Sequence, residues 1–131
     1  VDKIKELIQK QKENYDFILI DTAAGTHCDV ISALDYCDKV FGVTEPTPLG
    51  RHDVELIIKL ILKLNKPYEI ILNRYEEENK EIIEYMLKKY RKKIFVKIPY
   101  KKEIMEQYSK GIPIKDESIE RIAEGVKNGW V

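Results

Sequence analysis

The sequence predicts an α/β fold of three layers, a mostly parallel sheet with helices on both faces. Three observations carry this expectation. Four short apolar runs, at 17–20, 40–43, 69–72 and 94–98, have the length of strands. Helical periodicity lies between nearly every pair of them, and strands joined through helices pair in parallel. Each run also stops on something polar or conformationally special: Asp21, Thr44-Glu45, Asn73-Arg74, Pro99-Tyr100. In a parallel sheet such ends fall along one edge, where open α/β sheets bind ligands.

In order, residues 2–13 place Ile4, Leu7 and Ile8 on one helical face among Lys, Glu and Gln. The run Phe17-Ile18-Leu19-Ile20 is apolar on alternating and adjacent positions alike, the pattern of a strand buried on both faces. Small residues at 22–28 make a loop, and a short helix follows near 29–35, with Asp29 as cap or first-turn carboxylate. After the strand at 40–43, the two prolines and one glycine of 44–50 predict a loop. Residues 51–64 predict a long helix, apolar nearly all round and therefore mostly buried. The strand at 69–72 leads to a helix at 79–90, with Ile82, Ile83, Met86, Leu87 and Tyr90 on one stripe. The strand at 94–98 leads to helices at 101–109 and about 117–127.

Composition narrows the class. A chain of 131 residues can bury a real core, and one α/β domain over 1–131 is the economical reading. Lys plus Arg and Asp plus Glu balance to a net charge of zero, so nothing global attracts nucleic acid or a membrane surface. Charged residues are 35% of the chain, above the usual quarter or so, and with the many Ile, Lys, Glu and Tyr they suggest a thermophilic source. Two cysteines, Cys28 and Cys37, make no disulfide framework and point to a reduced, cytoplasmic setting. No apolar run is long enough to span a bilayer. The chain opens on Val1 inside a helical pattern, which suggests that something precedes it.

Chemistry concentrates at the first strand end. Asp21 stands where a carboxylate can hold hydrated Mg²⁺, and Gly25, four residues on, lets a backbone N–H approach a phosphate. This is the form of a Walker B strand with a switch-like turn. With Ile18-Leu19-Ile20-Asp21-Thr22-Ala23-Ala24-Gly25, Val43-Thr44-Glu45-Pro46-Thr47-Pro48, Ile71-Leu72-Asn73-Arg74-Tyr75, Ile98-Pro99-Tyr100 and Gly111-Ile112-Pro113 in this order, the chain resembles the MinD/ParA/Mrp class of P-loop ATPases. Within it, it is similar to the MinD-like ATPases that often carry an inserted ferredoxin domain. The resemblance covers about residues 15–115.

The resemblance implies roles. Asp21 would act on Mg²⁺ through water, and Gly25 would sense the terminal phosphate of ATP. Asn73, whose amide both donates and accepts, would pair with the adenine edge, with Arg74 beside it. Pro99 and Tyr100 would close over the base, and Glu45 and Pro46 would line the nucleotide or partner surface. The departure from the class is the phosphate loop: no Gly-Lys-Gly-Gly-x-Gly-Lys-[Ser/Thr] occurs, and none of Gly25, Gly42, Gly50, Gly111, Gly125 and Gly129 belongs to one. The chain is thus read as the carboxyl half of such an ATPase, an incomplete P-loop fold that does not hydrolyse ATP alone. Its implied partners are a Walker A-bearing half, a second copy or an iron–sulfur protein.

Cys28 has two readings. The nitrogenase iron protein, a relative of the class, has a cluster-ligating cysteine at a matching offset from its aspartate, which makes Cys28 a candidate ligand of a [4Fe-4S] cluster. The other reading is a small residue at a helix start. Cys37 reads as core, and His27 and His52 lack metal-spaced partners. The basic run 88–93 reads as solvated cations at a helix end. Two other functions compete. One is a non-catalytic interaction module of the same fold, contributing an interfacial iron–sulfur ligand. The other is a receiver- or flavodoxin-like domain, for which only Asp21 is suitably placed.

Overall fold

The computed structural model describes residues 2–79 and 81–129. In chain order its elements are α1 (Asp2–Gln11), α2 (Cys28–Tyr36), β1 (Val40–Thr44), α3 (Pro48–Lys63), β2 (Tyr68–Tyr75), α4 (Glu81–Lys88), β3 (Ile94–Pro99), α5 (Lys102–Ser109) and α6 (Glu117–Lys127). The α/β class is borne out. The strands form one sheet in the order β1-β2-β3, and β2 pairs with β3 in parallel. No described helix is long and apolar enough to cross a membrane.

The chain divides into two compact units, Val1–Val40 with Leu56–Tyr68, and Phe41–Glu55 with Glu69–Val131. In the first unit, α2 buries Val30, Ala33 and Leu34, and α3 contributes Ile58 and Ile61, both fully buried. The junction after α3 is tied back to α2, because Lys66 Nζ donates to the Asp35 carbonyl at 2.7 Å.

In the second unit the core is built on β2, where Ile70, Ile71 and Leu72 are consecutive buried residues. A strand buried on both faces needs such a run. Helix α4 buries Ile83, Met86 and Leu87, at the spacing that defines one helical stripe. Gly42 of β1 admits Ile70, since a Cβ there would stand 2.9 Å from Ile70 Cδ1. Phe41 and Phe95 stack with ring centres 6.2 Å apart. α6 packs against β3 and starts where the Asp116 side chain caps Ser118 N.

Three expectations are corrected. Residues 17–20 form no strand: from Phe17 to Ala23 the chain runs without helix, ladder or bend. Phe17, Ile18 and Leu19 are 51%, 40% and 80% exposed instead of buried. A strand exists only through its ladder, and no described residue pairs with this one.

Helix α3 begins at Pro48, inside the stretch expected to be a loop. Thr47 caps it, its Oγ1 accepting from Gly50 N at 2.9 Å, and Arg51 N donates to the Thr47 carbonyl at 2.9 Å. Pro48 thus occupies the first helical position, where a missing N–H costs nothing. The same helix is not buried all round. Val54, Ile58 and Ile61 form its buried stripe, while Leu56 and Leu62 are 40% and 51% exposed.

Candidate functional site

The carboxyl ends of the three strands make a ledge in the second unit. β1 ends on Thr44, a buried hydroxyl that donates to the Gly50 carbonyl at 2.8 Å. The chain turns at once, with Thr47 N donating to the Glu45 carbonyl at 2.8 Å and Pro46 buried in the corner. This closed corner presents the Glu45 side chain at the strand end.

β2 ends on Asn73, Arg74 and Tyr75. Arg74 adopts a left-handed φ of 52°, and the register with β3 slips between Leu72 and Tyr75. Its guanidinium Nε lies 3.5 Å from Glu45 Oε1. Asn73 is half-buried, and its side-chain amide makes no hydrogen bond to another described residue. Among the described residues its donor and acceptor are both open.

β3 ends on Pro99, in register with Tyr75, and Tyr100 N donates to the Tyr75 carbonyl at 3.0 Å. Tyr100 is half exposed. Lys97 Nζ sits 5.2 Å from the Tyr75 ring centre and 2.8 Å from Glu84 Oε1. Lys101 Nζ pairs with Asp116 Oδ2 at 2.9 Å. The structure therefore brings Glu45, Pro46, Asn73, Arg74, Pro99 and Tyr100 onto one short edge.

Asp21 and Gly25 belong to the other unit. Asp21 is exposed, and no described residue pairs with its carboxylate. Gly25 has φ +108°, a conformation L side chains rarely adopt, so the turn after Asp21 requires a glycine. His27 precedes α2 without capping it, and Asp29 Oδ1 accepts from Val30 N at 3.0 Å in the first turn.

Cys28 is exposed at the first residue of α2. Among the described residues no group of three or more His, Cys, Asp or Glu side chains could hold a metal. One thiolate is a single donor, so these described residues do not by themselves fit a four-sulfur ligand set. Cys37 donates Sγ–H to the Ala33 carbonyl at 3.2 Å, and burial pushes its thiol pKa up, with Lys66 opposing. It is a structural residue.

Sequence reasoning missed the Thr44–Thr47–Gly50 corner. Its signal was present in Thr47-Pro48-Leu49-Gly50, a cap residue followed by proline, which marks a helix start as well as a break.

A sheet with helix crossovers and its polar residues gathered at the strand carboxyl ends defines an open α/β chain with a candidate ligand edge. No family model matches it. The comparison with solved structures is specific: the cell division ATPase MinD of Pyrococcus furiosus superimposes with a TM-score of 0.76 at 26% identity, covering 96% of this chain and 57% of that one. An uncharacterized ATP-binding protein of Methanocaldococcus jannaschii is 26% identical over 136 residues, 95% of this chain and 54% of the relative. An uncharacterized protein of the same archaeon is 48% identical over 99 residues, 76% of this chain and 33% of the relative. By sequence and by fold the chain is MinD-like, and it spans between a third and just over half of the length of these proteins.

Proposed function

We propose that this chain supplies the adenine side and the Walker B turn of a MinD-like Mg-ATP site, with the phosphate grip provided from outside these 131 residues. The observation that carries the reading is the open Asn73 amide on a ledge closed by the Glu45–Arg74 pair and the Tyr75–Tyr100 backbone bond. A purine edge offers neighbouring donor and acceptor groups, which one amide can meet together. The residues also fit the metal. Asp21 is a solvent-facing carboxylate without a protein partner among the described residues, as water-mediated Mg²⁺ binding requires. Bound Mg²⁺ would supply charge neutralisation on the phosphates. Gly25 would offer its N–H to the terminal phosphate, and Pro99 and Tyr100 would cover the base.

Alone, the chain lacks the lysine and backbone cradle of a phosphate loop, so it binds Mg-ATP poorly and does not hydrolyse it. A Walker A-bearing amino-terminal half completes the site. A second reading is an interaction module of the same fold whose nucleotide edge is vestigial.

Two titrations separate the readings. Under the nucleotide reading, adenosine at millimolar concentration shifts the backbone NMR resonances of Asn73 and Tyr100. Mg-ATP then binds the isolated chain more weakly than about 10 μM, roughly −7 kcal/mol. Adenosine that leaves both resonances unmoved overturns the adenine assignment in favour of the interaction module. Tight Mg-ATP binding by the chain alone overturns the half-site.

A further inference from the structure

Glu45 and Arg74 are opposite charges at neighbouring strand ends, and Arg74 directly follows the open Asn73 amide. β1 and β2 are adjacent in the sheet, and Arg74 Nε lies 3.5 Å from Glu45 Oε1. A regular strand sends successive side chains to opposite faces, and the left-handed φ of 52° at Arg74 breaks that alternation just after Asn73. The two side chains are 63% and 42% exposed, so in the free chain water reaches both charges. A planar base laid on the ledge takes part of that water away. Each charge then depends more on its partner, because a charge drawn from water and left unpaired is costly.

We propose that the Glu45–Arg74 pair is a purine filter: it sets the ledge against guanine and leaves the Asn73 amide to read adenine. The inference rests on the nucleotide reading above and adds to it the residues that decide base choice. Guanine is the base that either partner would take if it stood alone. A guanidinium donates two N–H groups to guanine O6 and N7 together. A carboxylate accepts from guanine N1–H and the N2 amine together. Adenine carries an amine where guanine has O6, and no hydrogen on N1, so it offers neither charge a matched pair of groups. While Glu45 and Arg74 hold each other, guanine gains a contact only by breaking theirs. Base choice then comes from what the competitor loses as well as from what adenine gains at Asn73.

The test is an NMR titration of the full chain with AMP and with GMP at millimolar concentration, followed at the Asn73 and Tyr100 backbone amides. The parent, Glu45→Gln, Arg74→Ala and the double variant are compared by the ratio of AMP to GMP affinity. The parent favours AMP. Each single substitution frees one charge and moves the ratio toward GMP by about fivefold or more. The double variant has neither charge and returns to within about twofold of the parent, a non-additivity that lost stability alone does not produce. Glu45→Gln and Arg74→Ala approach the pair from opposite sides, so either one tests it. Single variants that bind AMP and keep the parent's ratio overturn the filter and leave the nucleotide reading standing. Equal losses of AMP and GMP affinity overturn it too, because the pair then only supports the ledge. A parent that binds neither nucleotide overturns the nucleotide reading and the filter together.

Discussion

Thr44 and Gly50 are locked together: the buried Thr44 hydroxyl donates to the Gly50 carbonyl at 2.8 Å, and a Cβ on Gly50 would lie 2.4 Å from the Glu45 carbonyl. The contact fixes how closely the start of α3 folds over the end of β1. Gly50→Ala forces backbone apart and is expected to cost about 1–3 kcal/mol, the range of overpacked sites. Thr44→Val, which keeps shape and removes one hydrogen bond, should cost about 1 kcal/mol. Urea unfolding of both variants checks the order. A neutral Gly50→Ala would mean the corner opens freely.

Helix α3 offers an internal comparison. Ile58 is fully buried and Leu62 is 51% exposed, four residues along the same helix. Ile58→Ala is expected to lose about 2–5 kcal/mol through the cavity it leaves. Leu62→Ala should stay within roughly 0.5 kcal/mol, as for ordinary surface positions. Denaturant midpoints that coincide would contradict the buried stripe.

Asp116 gives the pH dependence a sign. The Ser118 hydroxyl, then Lys101, then the Ser118 backbone N–H hold its pKa down from the ordinary 3.8 to about 2. The folded value is depressed, so the contribution to stability is fully present above about pH 4 and is lost as pH falls through about 2. Asp116→Ala should lower stability by about 1 kcal/mol at neutral pH, the worth of a typical N-cap. It should also flatten the acid limb of the stability profile between pH 4 and 2. Asp116→Asn, which still caps, should recover most of the neutral stability and none of the pH dependence.

Asp21 and Asn73 separate metal from base. Asp21 is exposed and makes no contact that the fold needs, so Asp21→Ala should leave stability within roughly 0.5 kcal/mol of the parent. In the completed nucleotide complex it should abolish the Mg²⁺-dependent part of ATP hydrolysis. Asn73→Ala should weaken ATP by about 1–3 kcal/mol and relax the preference for ATP over GTP. An unchanged base preference would remove Asn73 from the adenine edge.

Much of the element order was legible because it rests on local periodicity. α6 occupies the expected 117–127, and β2, α4 and β3 overlap their expected spans. Two of the errors share a physical cause, dependence on something beyond the local window. The run 17–20 has every residue of a buried strand, but only a neighbouring strand can make it one. Leu56 and Leu62 add to the hydrophobicity of α3 without saying which faces meet neighbours. Pro48 and Gly50 read as breakers until Thr47 is recognised as a cap. The ledge residues were named from strand ends and resemblance, whereas the Glu45–Arg74 contact and the slipped register that permits it are tertiary facts.

Arg74 shows what that ledge demands of the fold. A non-glycine residue at φ 52° carries a conformational penalty of roughly 1–2 kcal/mol. An ion pair whose side chains are 63% and 42% exposed returns well under 1 kcal/mol. Glycine at this position would relieve the backbone, so a search guided by thermostability alone would replace the arginine. Under the proposed nucleotide reading, its presence marks a trade-off in which a cation at the strand end outweighs local comfort of the chain. A library selected first for heat resistance and then for ligand binding should therefore pull residue 74 in opposite directions.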